Sequence, residues 1–386
     1  VTEAPSEVRG FGLDLPEYPW EAMAPYQATA ESHPGGVVNL SVGTPVDATP
    51  GFIRTALADA ANAPGYPATH GTPQLREAVV RWFARRRGVT GLPPDAVLPT
   101  VGSKELVAWL PLLLGLRAGD VVVHPTVAYP TYAIGARLAG AEAVAADDLD
   151  TLDEAVRARV RMVWVNSPAN PTGAVIDAEH LRRVVAAARA LGAVVVSDEC
   201  YAELGWDRWD THRGGESVPS LLDPRVTDGD LSGLFVAYSL SKQSSVAGYR
   251  AAFLAGAPEL MPNLINARKH AGMIVPAPVQ AVMTVALDDD EHVSAQKDVY
   301  RRRREILRPA LEAFGLRIEH SEAGLYLWCT AGEDAWTTVG RLAELGIVAG
   351  PGVFYGTAGT RYVRVALTAA TGRVQGAADR LHAAGS

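Results

Sequence analysis

Cysteine is nearly absent: Cys200 and Cys329 are the only two in 386 residues. Two thiols cannot build a disulfide framework or a four-cysteine zinc site. Long apolar runs are missing as well. The longest, Leu106 to Leu116, is interrupted by Pro111 and falls well short of the roughly 20 residues a membrane-spanning helix needs. Basic charge is not in excess, since 35 Lys and Arg stand against 43 Asp and Glu, a formal net charge of −8. That balance disfavours non-specific binding to nucleic acid or an anionic membrane. The first residues, Val-Thr-Glu-Ala-Pro-Ser-Glu, lack the basic start and apolar core of a secretion signal. No period repeats and no segment is low in complexity. What is present, 48% hydrophobic and 20% charged residues, suits a folded chain of two or three domains at roughly 150 residues each. The expectation is a cytoplasmic enzyme.

The first 35 or so residues mix prolines with the aromatics Phe11, Tyr18, Trp20 and Tyr26 without a helical or strand period, which predicts an extended arm pinned by its rings. From about residue 72, helical and strand patterns alternate. The clearest helix is Ala178 to Leu191, with Asp177 to cap it, an apolar stripe at Leu181, Val184, Val185 and Ala188, and Gly192 beyond its end. Short runs rich in Val and Leu read as buried strands: Val97–Val101, Val121–His124, Arg161–Val165, Ala193–Ser197, Leu234–Tyr238 and Ala251–Ala255, with a weaker one at Glu142–Ala145. They predict an α/β domain with a largely parallel, doubly covered sheet. Only twelve residues separate the last two runs, so one of them is expected to run antiparallel. After about residue 270, long helices (about 277–288 and 291–313), short strands and a final helix from about 372 fit a smaller α+β domain. The Arg301–Arg304 run, near Asp298 and Glu305, reads as a solvated, ion-paired helix face.

Open α/β sheets bind ligands beyond the carboxyl ends of their strands. Four strands end in polar or glycine residues there: Gly102-Ser103-Lys104, Asn166 through Asn170 to Gly173, Asp198 through Tyr201, and Ser239-Leu-Ser241-Lys242 with Arg250 eight residues on. Each alone is ordinary turn or cap chemistry. Together they deliver an amine, a carboxylate, an arginine and a phosphate-type helix start to one sheet edge. Pyridoxal 5′-phosphate needs that set: a lysine for its aldehyde, a carboxylate for its ring nitrogen, a helix dipole and an arginine for its phosphate. A dehydrogenase fingerprint is not matched, because Gly350-Pro-Gly352-Val-Phe-Tyr-Gly356 has the wrong final spacing.

Ser239-Leu-Ser-Lys-Gln-Ser-Ser-Val-Ala-Gly-Tyr-Arg-Ala-Ala252 resembles the lysine-attachment motif of the fold-type I, class I aminotransferases, the aspartate aminotransferase superfamily. The resemblance runs from about Asn39 to the last helix. It implies a three-layer fold with a seven-stranded mixed, mostly parallel sheet in a large domain (46–270), a C-terminal small domain (271–386), and an arm plus part of the small domain in 1–45. It implies that Lys242 forms the Schiff base and shuttles the proton, Asp198 pairs with the ring nitrogen, and Asn170 and Tyr201 donate to the ring oxygen. Gly102, Ser103, Lys104, Ser239, Ser241 and Arg250 match the phosphate cup, and Tyr129 the aromatic stacked on the ring. Arg364 and Gly43 match the substrate-carboxylate grip, and Asn170 belongs to the substrate-binding set as well as to the ring-oxygen donors. Tyr66 resembles the tyrosine that reaches the neighbouring subunit's phosphate, which implies a homodimer with shared sites.

Three stretches, Pro16-Glu-Tyr-Pro-Trp-Glu-Ala-Met-Ala-Pro-Tyr26, Arg268-Lys-His-Ala-Gly-Met-Ile-Val-Pro-Ala-Pro-Val-Gln280 and Glu322-Ala-Gly-Leu-Tyr-Leu-Trp328, resemble bacterial N-succinyl-diaminopimelate aminotransferases. The implied reaction is ping-pong transfer from L-glutamate, giving 2-oxoglutarate, to N-succinyl-2-amino-6-oxopimelate. The arm and the Arg268-Lys269-His270 run are candidate donors for the extra carboxylates; a solvated helix end is the competing reading of that run. Rivals on the same cofactor are the aspartate, aromatic and LL-diaminopimelate aminotransferases and a C–S lyase. A ligand-sensing domain is a further rival, against which the absence of a preceding DNA-binding module counts.

Overall fold

The computed structural model describes residues 13, 15, 16 and 19–385; Phe11 and Tyr18 of the expected arm lie outside them. Seven strands form one sheet: β1 (Val97–Val101), β2 (Val121–His124), β3 (Glu142–Ala145), β4 (Val160–Asn166), β5 (Val194–Asp198), β6 (Leu234–Ser239) and β7 (Ala251–Gly256). Their spatial order is β1-β7-β6-β5-β4-β2-β3. Only β7 runs against its neighbours, antiparallel to both β1 and β6, because the short link from β6 leaves no room for a parallel return.

The strands read as continuous apolar runs because both faces are covered. Alternate residues point to opposite layers, as the strand period of two requires. Val195, Val236 and Phe253 pack with Trp82, Leu181 and Met283 of one helical layer, while Val196, Phe235 and Leu254 pack with Leu106, Tyr132 and Leu264 of the other. The helix Ala178–Ala190 forms as expected: Asp177 accepts from the His180 N–H at 2.8 Å, and Leu181, Val185 and Ala188 are buried.

A second core lies beside this sandwich. Its four-stranded antiparallel sheet orders Gly350–Pro351, Val363–Ala366, Tyr326–Thr330 and Arg317–Glu319. The helices Glu291–Ala313, Ala335–Glu344 and Thr371–Gly385 pack against it. Val38–Asn39 pairs in parallel with Ile347–Val348, so the N-terminal region joins this core. So does the loop after β5, through Cys200, Tyr201, Leu204 and Trp206.

Two expectations change. The N-terminal region is not extended throughout, since Pro19–Met23 forms a 3-10 turn that runs into a helix at Ala24–Glu31. Its rings still pin it: Trp20 meets Phe354 edge-on at 5.2 Å and Tyr26 stacks on Trp336 at 5.3 Å. The arginine run is ion-paired but not solvated. Arg301, Arg303 and Arg304 are buried and only Arg302 is exposed, because the long helix packs into the second core and its arginines are covered by acidic partners on neighbouring loops. Arg301 meets Asp298 and Asp210, Arg303 meets Asp47, and Arg304 meets Asp207.

Candidate active site

A cavity of about 700 Å³ opens where the carboxyl ends of the strands face the second core. Gly102 leaves β1 at φ +78°, a left-handed conformation that favours glycine. A Cβ there would fall 2.1 Å from the Arg250 guanidinium. Two residues 148 positions apart are thus packed without a gap, at the start of the helix Ser103–Leu113. The first-turn N–H groups of a helix have no intrahelical acceptor, and Ser103 and Lys104 line the cavity. At the end of β6, the buried Ser239 hydroxyl donates to Ser241 Oγ at 2.8 Å. Glycine, helix start, serines and arginine make an anion cradle.

Asp198 ends β5 and is buried. Its Oδ1 accepts the Cys200 N–H at 3.2 Å and its Oδ2 the Tyr132 hydroxyl at 3.0 Å. Burial pushes the carboxyl above its ordinary range, and the Cys200 and Tyr132 donors oppose that push. Asn166 ties this strand to its neighbour: its amide donates to the Asp198 carbonyl at 2.9 Å, and its Oδ1 accepts the Asn170 N–H at 2.7 Å.

Lys242 is half-buried, and its Nζ donates to the Gly43 carbonyl at 2.5 Å. Burial, aided by Arg364 and Arg250, lowers the pKa of its amine; Tyr326 and Cys200 act in the opposite direction. Arg364 is buried, donating to Asn170 Oδ1 at 2.9 Å and to the Ser41 carbonyl at 2.6 Å. Its guanidinium lies 4.0 Å from the Tyr326 ring centroid and 4.9 Å from that of Tyr355, and its buried Nε has no hydrogen-bond partner. Tyr201 shares a 3.1 Å hydroxyl contact with Tyr326. Burial works to raise the Tyr326 phenol, but Arg364, Lys242 and the Tyr201 hydrogen bond together bring it below its ordinary range.

Thirteen of the fourteen residues singled out from the sequence therefore meet: Gly43, Ser103, Lys104, Tyr129, Asn170, Asp198, Tyr201, Ser239, Ser241, Lys242, Arg250 and Arg364 line the cavity, and Gly102 backs Arg250. Tyr66 does not join them and is fully exposed. Arg268 is no donor to this cavity: it is buried against Glu105 at 2.9 Å and the Met273 carbonyl at 3.2 Å. Lys269 and His270 are exposed and outside the lining. The arm does reach the cavity, through Leu15, Pro16, Pro19 and Trp20, none of them charged.

Two residues the sequence reading missed belong here, Tyr132 and Tyr326. Tyr326 pairs with Ala366 while Trp328 pairs with Arg364, which makes Tyr326 a same-face diagonal neighbour of Arg364. Only strand register reveals it. An amine of lowered pKa, a buried carboxylate and an anion cradle around one cavity fit the amine-binding, ring-binding and phosphate-binding needs of pyridoxal 5′-phosphate. Among the described residues no cluster of His, Cys, Asp and Glu could hold a metal ion, and no helix is long and apolar enough to cross a membrane.

The sequence profile of aminotransferase class I and II matches residues 35–381. The chain is 53% identical, over 95% of its length and 99% of the relative's, to a 4-dedimethylamino-4-oxo-anhydrotetracycline transaminase of Streptomyces rimosus. It is 34% identical to an LL-diaminopimelate aminotransferase of Aquifex aeolicus, over 89% and 90% of the two chains. Among solved structures, a probable N-succinyldiaminopimelate aminotransferase of Thermus thermophilus superposes with a TM-score of 0.83 at 29% identity, over 95% and 99% of the two chains. The chain belongs to the class I and II aminotransferases, transferases that depend on pyridoxal 5′-phosphate.

Proposed function

We propose that this aminotransferase takes its amino group from L-glutamate and that the cavity residues divide the work as follows. Lys242 binds the cofactor aldehyde and carries the proton on its Nζ; its lowered affinity for that proton lets the amine act as a base. Asp198 faces the ring nitrogen as an opposite charge. Asn170 and Tyr201 address the ring oxygen, and Tyr129 lies against the ring. Gly102, Ser103, Lys104, Ser239, Ser241 and Arg250 hold the phosphate. Arg364 and Gly43 receive the substrate α-carboxylate, for which a guanidinium offers a two-pronged contact. When bound, the cofactor supplies an electron sink for charge developing at the substrate Cα. The carrying observation is the convergence of Lys242, Asp198 and Arg364 on one cavity.

The acceptor in this reading is N-succinyl-2-amino-6-oxopimelate. It is supported by the resemblance of the three stretches above and by the Thermus structure. A second acceptor class is favoured by the apolar part of the cavity lining, which includes Leu15, Pro16, Pro19, Trp20, Ile134 and Phe354. With Arg268 committed to Glu105, that surface suits a bulky, ring-bearing ketone, as in the name of the Streptomyces relative. Amino-acceptor profiling separates the two. The glutamate-loaded enzyme is offered N-succinyl-2-amino-6-oxopimelate, its acetylated and free counterparts, and a polycyclic ketone. Turnover of the first alone supports the diaminopimelate reading; turnover of the last alone supports the second. Lys242→Ala is expected to abolish turnover and the visible absorbance of bound cofactor, and retention of both would remove the assignment. A homodimer in which Tyr66 reaches the partner's phosphate site is part of the same proposal, supported by the full exposure of Tyr66.

A further inference from the structure

Asp198 is held from two sides, and one holder has no part in the roles set out above. Tyr132 is wholly buried. Its ring stacks on Trp164 with centroids 4.8 Å apart and planes 26° from parallel, and it meets the Tyr129 ring edge-on at 5.9 Å. Trp164 of β4 is in register with Val196 of β5. Asp198, two residues beyond Val196, emerges on that same face, under the helix Thr131–Leu138 that carries Tyr132. Sheet register and ring packing therefore aim the phenol at the carboxylate, and the bond closes at 3.0 Å. Its direction is fixed as well: burial, reinforced by the Asp198 charge, holds the Tyr132 proton on its oxygen, so the phenol donates and the carboxylate accepts. Without the phenol, the buried carboxylate would keep only the N–H and thiol of Cys200 as donors and would be less well stabilised as an anion. The phenol, on the other oxygen, offsets part of the burial cost and locks the side-chain rotamer.

We propose that Tyr132 is a positioning residue that fixes Asp198 in one orientation and presents it as a charged acceptor to the cofactor ring nitrogen. This rests on the placing of Asp198 opposite that nitrogen. The bond it acts through is one to a charged group, the stronger class of hydrogen bond.

The experiment compares two ligands that differ in a single ring atom. Purified wild type, Tyr132→Phe and Asp198→Asn are stripped of cofactor and reconstituted with pyridoxal 5′-phosphate or with its carbocyclic analogue, in which C–H replaces the ring nitrogen. Half-saturating concentrations and visible absorption maxima are recorded. Wild type is expected to prefer the true cofactor. Tyr132→Phe is expected to narrow that preference by roughly tenfold, with affinity for the analogue unchanged and an absorption maximum that shifts with the true cofactor only. Equal weakening toward both ligands would mean that the phenol is merely structural, and no change toward either would remove the role. If Asp198→Asn keeps the full wild-type preference, the placing of Asp198 itself fails, separately from the part given to Tyr132.

Discussion

Arg364 ties several parts of the site together. One guanidinium nitrogen reaches Asn170, another the Ser41 carbonyl, and its face lies over two tyrosine rings. Arg364→Ala is expected to weaken glutamate binding by about 2–4 kcal/mol, the scale of a truncated buried charge contact. The effect should appear as a raised KM while cofactor absorbance persists; unchanged affinity for glutamate would count against the role. Beside it, Gly43 shows why a glycine is needed: a Cβ would stand 2.0 Å from the Tyr326 hydroxyl. Lys242, Asp198 and Arg364 could be read from the chain because each sits at a strand end or inside a distinctive motif. Tyr132 and Tyr326 could not. Their partners are 66 and 125 residues away, and only pairing across the sheets brings them within reach.

At the scale of elements, the long helix Glu291–Ala313 joins the two cores. Tyr300 on it donates to the Lys242 carbonyl at 3.1 Å, and Gln296 to Asp47 at 2.9 Å. From the same helix, Lys297 Nζ and Arg301 donate to buried Asp210 at 2.8 Å and 2.7 Å. Burial works to raise its carboxyl, but the two cations outweigh it and hold the group below the ordinary carboxylate range. The Lys297 amine is itself lowered by burial despite this bond; Arg301, as a second partner, keeps the carboxylate favoured. A depressed folded-state pKa contributes stability that is complete above the unfolded value, about 3.9, and is lost as pH falls through the folded value. Asp210→Asn is therefore expected to lower stability by roughly 3–5 kcal/mol at neutral pH, leaving buried cations uncompensated. Urea unfolding from pH 7 to 3 should show this gap constant down to about pH 4 and shrinking below it. A gap that holds at pH 3 would contradict the account. The run Arg301–Arg304 gave the charge but not the burial, because a helix pattern does not say how many neighbours surround it.

At the scale of the whole molecule, the proposed homodimer turns on Tyr66. Tyr66 stands fully exposed, outside the cavity of its own chain, where a proposed partner subunit would use it. Tyr66→Ala should therefore weaken cofactor retention, and Lys242→Ala should be inactive. A mixture of the two, dissociated and reassociated, should regain part of the activity, since one hybrid site combines an intact lysine with an intact tyrosine. Ultracentrifugation and turnover of the mixture check this; no recovery from a mixture that does hybridise would remove the shared site. The division at residues 45 and 270 belongs to the same proposal. The loop from Cys200 to Trp206 lies inside the central segment yet packs in the second core, so a cut in sequence does not separate the two cores in space.

The sequence alone determined the layered α/β architecture, since apolar runs of strand length between amphipathic helices have few other ways to bury both faces. It also marked the strand ends that carry the amine, the carboxylate and the cradle, because local backbone chemistry is written in adjacent residues. Tertiary structure decided which distant side chains support them: Tyr132 bonded to Asp198, Tyr326 beside Arg364, Arg268 withdrawn to Glu105. Those contacts depend on register and packing between elements far apart in the chain, and no local pattern encodes a distance across a sheet.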